Sequence, residues 1–94
     1  MIARLAGTLI EKHVQGLVVD VGGVGYGVLV PLSTFYAVGE PGATIALRIH
    51  THVREDAIRL FGFSTEEERA WFAHVQTIPG VGAKVALAIL DIMS

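Results

Sequence analysis

Between Thr44 and Val53 apolar and polar side chains alternate with period two. Ile45, Leu47, Ile49, Thr51 and Val53 fall on one face, and Arg48, His50, His52 and the following Arg54 fall on the other. Only an extended strand gathers such residues on a single face, because a helix would scatter them around its axis. The backbone N–H and C=O groups of a strand need partners, so this segment demands a sheet. The rest of residues 1–63 supplies it. Leu5–Ile10 predicts a first strand ending near Lys12 and His13, Gly16–Val21 a second, Gly25–Val30 a third and Ala57–Phe63 a fifth. Gly22-Gly23-Val24-Gly25 reads as the turn between the second and third, with glycine where positive φ is expected. Pro31–Val38 breaks the alternation and suits one helical turn, and Glu40-Pro41-Gly42 marks a further bend.

Five short strands, a helical turn between the third and fourth, and frequent glycine predict a small Greek-key barrel of the OB type. A Greek-key sandwich fragment is the alternative that the same pattern allows. Gly7, Gly25, Gly27 and Gly62 are expected at crowded bends of the barrel. After Phe63 the pattern turns helical, which divides the chain into a barrel over 1–63 and a helical segment over 64–94 with no linker between them. In Ser64–Val75, Ser64 and Glu67 have the spacing of a capping box, and Glu66, Glu67 and Glu68 suit the positive end of a helix dipole. Trp71, Phe72 and Val75 are expected to form one apolar stripe.

The most informative stretch for function follows, Ile78-Pro79-Gly80-Val81-Gly82-Ala83-Lys84-Val85-Ala86. A Gly-x-Gly turn opens directly into an Ala-rich apolar helix. Neither glycine puts a side chain in the way of a ligand, and the unpaired N–H groups of a first helical turn can converge on one anion. Lys84 adds a positive charge at the same place. The expected contacts to phosphate are Gly80, Val81, Gly82, Ala83 and Lys84, in a cradle indifferent to base identity. The spacing lacks the Gly-x-x-x-x-Gly-Lys-Ser/Thr of a nucleotide-hydrolysing loop, and the glycines follow a helix where a dinucleotide site needs a strand. Helix, Gly-rich turn and helix are similar to the helix-hairpin-helix motif, with Gly80, Gly82 and Ala86 matching Gly-x-Gly-x-x-x-Ala.

Composition limits what the cradle serves. The 94 residues suit one compact domain with a small appendage, and 52% hydrophobic against 17% charged residues implies apolar surface buried against other subunits. A net charge of −2 argues against a broad basic footprint but leaves room for a local contact, since main-chain N–H groups carry no formal charge. No cysteine is present, so neither a disulfide framework nor a zinc ribbon is available. Neither a signal-peptide pattern nor a run of membrane-spanning length is found, and a cytoplasmic location without membrane contact is expected. His50 and His52 stand at a spacing that suits two metal ligands, but no third is placed by the sequence, so no metal or other cofactor is expected. No catalytic constellation emerges. Arg54-Glu55-Asp56 joins the fourth and fifth strands, putting two acids at a hairpin tip next to a face bearing Arg48, His52 and Arg54. If that face meets DNA, the carboxylates repel phosphates and reject a continuous duplex.

Taken together these segments resemble the N-terminal part of the RuvA family of Holliday-junction-binding proteins. The resemblance is carried by Met1–Gly7, Val21-Gly22-Gly23-Val24-Gly25-Tyr26, Val53-Arg54-Glu55-Asp56, Leu60-Phe61-Gly62-Phe63 and Gly80–Leu90. It implies an OB-fold domain in a homotetramer around a four-way DNA junction, with helix-hairpin-helix loops on the phosphates and an acidic pin, matched by Glu55 and Asp56, separating strands. Arg54 would help position the pin. The family is a recognition subunit: it loads the RuvB ATPase that drives branch migration, and the RuvC resolvase cuts the junction. Family chains continue with a second helix-hairpin-helix and a RuvB-contacting domain, so a sequence ending at Ser94 is expected to be a truncated form with weakened DNA binding and no RuvB stimulation. The reading from residues alone also allows a generic duplex-gripping module of a repair enzyme.

Overall fold

The computed structural model describes residues 1–14 and 16–93. Ser94, included above in the helical segment, lies outside the described residues. The chain runs β1 (Arg4–Lys12), β2 (Gly16–Val21), β3 (Val24–Leu29), α1 (Leu32–Ala37), β4 (Thr44–Val53), β5 (Ile58–Phe63), α2 (Glu66–Val75) and α3 (Ala83–Met93). The strands close into a barrel in the order β1-β2-β3-β5-β4. Every pairing is antiparallel except β3 with β5, a short parallel contact of Val28 with Leu60 and Leu29 with Phe61. This is the five-stranded OB-type barrel, with the helix-hairpin-helix behind it. β1 serves two partners, Arg4–Thr8 pairing with β4 and Thr8–Lys12 with β2, and the ladder with β2 carries an irregularity between Leu9 and Glu11 where one extra residue is accommodated.

The turn between β2 and β3 is tighter than the sequence suggests. Gly22 and Gly23 take φ of 60° and 91°, the signature of a two-residue hairpin, and Val21 already pairs with Val24. Val24 and Gly25 therefore belong to β3, which begins one residue earlier than expected. Of the glycines expected to relieve crowding, two do so by direct contact. A Cβ on Gly7 would fall 2.2 Å from the Asp20 carbonyl oxygen, and one on Gly62 would fall 2.6 Å from Val28 Cγ1. Gly25 would meet only the Val18 side chain at 3.3 Å, and Gly27 has nothing within 4 Å, so crowding does not explain Gly27.

The apolar residues sort into two cores. Leu5, Leu9, Leu17, Val19, Val28 and Leu47 are among those filling the barrel. Phe61, Phe63, Phe72, Val75, Leu87 and Leu90 form a second cluster outside its wall. β5 divides them by its period of two: Leu60 points inward, while Phe61 and Phe63 point outward beneath the helices. Phe72 of α2 sits on that bed with its ring centroid 5.0 Å from those of both Phe61 and Phe63. The predicted stripe of Trp71, Phe72 and Val75 does not form as one face. Phe72 and Val75 are buried, but Trp71 is 39% exposed, because one residue along a helix turns the side chain through about 100°.

The start of α2 is also displaced from its expected position. The cap is Thr65, whose Oγ1 accepts from Glu68 N at 3.2 Å, and neither Ser64 nor Glu67 plays that part. Ser64 is drawn the other way, donating its N–H to Thr34 Oγ1 of α1 at 3.1 Å. Glu68 extends the tie by accepting from Ser33 Oγ at 2.5 Å, and Asp91 of α3 accepts from Leu32 N at 2.8 Å. Pro31 offers α1 no side-chain cap, so the first N–H of α1 is satisfied by a carboxylate 59 residues away. These bonds fasten both long helices to the barrel.

Candidate nucleic-acid interface

β4 and β5 pair from Arg48 with Phe63 to Val53 with Ile58, and the chain reverses beyond them. Arg54 N donates to Ala57 O at 2.8 Å and Ala57 N returns a bond to Arg54 O at 3.4 Å, which leaves Glu55 and Asp56 as the exposed tip. Val53 and Ile58, directly opposite each other below the tip, are 60% and 69% exposed.

The glycine-rich turn is built by local bonds. After α2, Thr77 N donates to His74 O and Ile78 N to Val75 O, winding the chain out of the helix. Gly80 takes φ of 85°, where a side chain would be strained, and Val81 N then donates to Ile78 O at 3.1 Å. The Gly82 carbonyl accepts from Ala86 N at 3.0 Å, so Gly82 is the residue from which α3 departs. The N–H groups of Ala83, Lys84 and Val85 follow it and have no acceptor within the helix. Gly80, Gly82 and Lys84 are exposed, with Val81 and Ala83 half-buried. Nothing lies within 4 Å of where a Cβ would stand on Gly82. Val81 differs from its neighbours in that its N–H is already used to hold the turn.

These two features share one cleft in part: Asp56 of the tip and Gly82, Ala83 and Lys84 of the turn line it, while Glu55, Gly80 and Val81 do not. The cleft, of about 540 Å³, has His52, Arg54 and Asp56 on its barrel side and Gly82, Ala83 and Lys84 on its helical side. Its floor is apolar, provided by Leu29, Phe61 and Leu87. Arg59 stands on the barrel side too, a residue that the sequence reading passes over. The signal for it was present: counting back by twos from Phe63 and Phe61 along β5 puts Arg59 on the same outer face.

The even-numbered face of β4 does not act as one surface. Arg48 lies by the start of α2, where the Glu66 carboxyl is held below its ordinary range by hydrogen bonding to Arg69, with the Arg48 charge a smaller contribution. His50 sets its ring edge-on to Phe72 at 5.3 Å, and its pKa is lowered by burial first, then by the charges of His52 and Arg69. Only His52 and Arg54 reach the cleft, where Arg54 Nε donates to His52 Nε2 at 2.9 Å. The His52 ring also meets Phe61 edge-on at 6.2 Å. Among the described residues no three His, Asp or Glu side chains are grouped to hold a metal ion. No helix among them is long and apolar enough to cross a membrane.

Residues 1–62 match the RuvA N terminal domain. A protein of Syntrophotalea carbinolica named Holliday junction branch migration complex subunit RuvA is 58% identical over 91 residues, covering 97% of this chain and 46% of that protein. The proteins so named from Thioalkalivibrio sulfidiphilus and Bordetella avium are 53% and 50% identical over 94 residues, all of this chain and 47% and 50% of theirs. The chain thus spans about half the length of the curated relatives it matches. By its N-terminal domain and by these identities, the chain belongs to the RuvA family.

Proposed function

We propose that this chain recognises four-way junction DNA, as the non-catalytic, DNA-holding part of a branch migration complex. The observation that carries this reading is one cleft lined on one side by the exposed turn at Gly82, Ala83 and Lys84 and on the other by Asp56 of the hairpin tip. Gly82, Ala83 and Lys84 offer N–H groups and a cation to a phosphate, with Gly80 and Val81 shaping the turn. Such contacts favour a sugar-phosphate backbone of any sequence. Glu55 and Asp56 then exclude a continuous duplex from the neighbouring space and admit strands that part at a crossover.

In this reading the barrel over 1–63 mediates assembly and faces the junction centre, and the segment over 64–94 grips an arm. Four copies surround the crossover, and the exposed Val53 and Ile58 beside the tip are suited to burial between neighbours. The motor is an ATPase of the RuvB kind and resolution belongs to a RuvC nuclease, both in the cytoplasm, with no cofactor required by this chain. The names of the relatives, each a Holliday junction branch migration complex subunit, support the place of this chain in such a complex.

Mobility shifts with a four-way junction and a linear duplex of the same arm sequence test the proposal. The junction should bind more tightly, and Gly82→Leu, which the open space at Gly82 accommodates, should weaken binding without lowering thermal stability. Equal competition by linear duplex would replace junction recognition with a generic duplex grip. Unchanged DNA affinity in Gly82→Leu would remove the cradle from the mechanism.

A further inference from the structure

We infer that Arg59 is a further DNA-contacting residue, holding from the barrel side the same phosphate backbone that the glycine-rich turn holds from the helical side. The inference rests on the proposed function and adds to it a contact outside both the hairpin tip and the cradle.

Strand register carries the argument. Arg59 is paired directly across from His52, so the two side chains emerge on one face with Cβ atoms about 5 Å apart. That outer face of β5 continues as Phe61 and Phe63, which α2 and α3 cover. Arg59 is one step beyond this cover and exposed, at the point where the apolar bed ends and the cleft begins. The cleft collects Arg54, Arg59 and Lys84, three of the seven lysines and arginines in a chain of net charge −2, against the single carboxylate of Asp56. The basic residues that the whole composition lacks are therefore concentrated here. Among the described residues, no carboxylate lies within ion-pair distance of any of the three, although Lys12 and Arg69 elsewhere are paired. Cations crowded around a concave surface create a positive potential that draws in an anion. The floor of Leu29, Phe61 and Leu87 offers apolar surface to deoxyribose, and the rim offers charge to phosphate. A DNA strand threaded through the cleft meets both.

The test is fluorescence anisotropy with a labelled four-way junction and the 94-residue chain over a range of salt concentrations. Neutralising one phosphate contributes a slope of about 0.9 in log K against log salt, equivalent to about eightfold in affinity at 0.1 M salt. Arg59→Gln should lower the slope by about that amount and weaken binding to a similar degree. Arg59→Lys should restore most of the loss, and the melting temperature of both variants should match the unaltered chain. Arg4→Gln removes a charge from β1, outside the cleft, and should leave the slope nearly unchanged. If Arg59→Gln binds with unaltered affinity and slope, the inference fails and the cradle stands. Equal losses in Arg4→Gln and Arg59→Gln reduce the effect to net charge and also overturn it. Absence of salt-dependent junction binding by the unaltered chain would instead overturn the proposed function.

Discussion

Replacing Phe72 by alanine should release the two long helices from the barrel and leave the barrel folded. Phe72 is fully buried, with ring centroids of Phe61, Phe63 and His50 at 5.0, 5.0 and 5.3 Å. Removal of a buried phenylalanine ring costs about 3–5 kcal/mol, and here the loss includes aromatic contacts worth roughly 0.5–1.5 kcal/mol each in that total. The loss falls on the outer cluster alone, because Leu9, Val19 and the rest of the barrel interior lie on the other side of β5. Helices of 10 and 11 residues hold little structure by themselves, so undocking amounts to melting. Trp71, the only tryptophan, is the adjacent residue and reports on α2 by fluorescence. Hydrogen exchange at Leu9 N, which bonds to Ala43 O at 2.9 Å, reports on the barrel. In urea, the Trp71 transition of Phe72→Ala should move to much lower denaturant while Leu9 keeps its protection, and junction affinity should fall with the helices. A change below about 1 kcal/mol, or loss of Leu9 protection in step with Trp71, would refute the division into two cores.

Gly7→Ala should destabilise the chain by at least the roughly 1–3 kcal/mol of an overpacked core, because its Cβ meets the backbone oxygen of Asp20 at 2.2 Å. Gly27→Ala should stay within about 0.5 kcal/mol, since nothing lies within 4 Å, and thermal denaturation compares the two directly. Stability should also fall in mild acid through His50. Its folded pKa is below the ordinary 6.5, so the unfolded chain takes up the proton first; stability is intact above 6.5 and declines as pH drops from there toward the lowered folded value. His50→Phe should flatten that slope in urea titrations over pH 5–7 (on the order of the ordinary histidine range), and an unchanged slope would point to other groups. Neutralising the tip with Glu55→Gln and Asp56→Asn together should keep or raise DNA affinity and narrow the preference for junction over duplex several-fold. Weaker binding to every form of DNA in a gel shift would contradict that sign.

Much of the barrel is legible in the sequence, for a physical reason. The strands Gly16–Val21 and Thr44–Val53 have the bounds that the sequence pattern predicts, because alternation and glycine punctuation are local signals that tertiary packing reinforces. Structure and sequence pattern differ where a distant partner decides. Thr65 takes the capping position while Thr34, remote in sequence, draws in Ser64. Trp71 and Phe72 look equivalent as hydrophobic letters, and only the position of β5 selects Phe72 for burial. His50 reads as a polar face residue, yet α2 folds over it. In the candidate site the Gly80–Lys84 turn and the Glu55-Asp56 tip were legible as motifs. That Gly82–Lys84 and Asp56 share one cleft, with Arg59 in it, depends on how α3 docks on β5.

The double-sided burial of β5 limits how these parts can be exchanged. A helix-hairpin-helix taken from this chain and attached to another barrel would arrive without Phe61 and Phe63, which stay behind in the donor's wall. Its Phe72 would then have nowhere to sit. For engineers, the portable piece therefore begins at Ile58, upstream of the helices it serves.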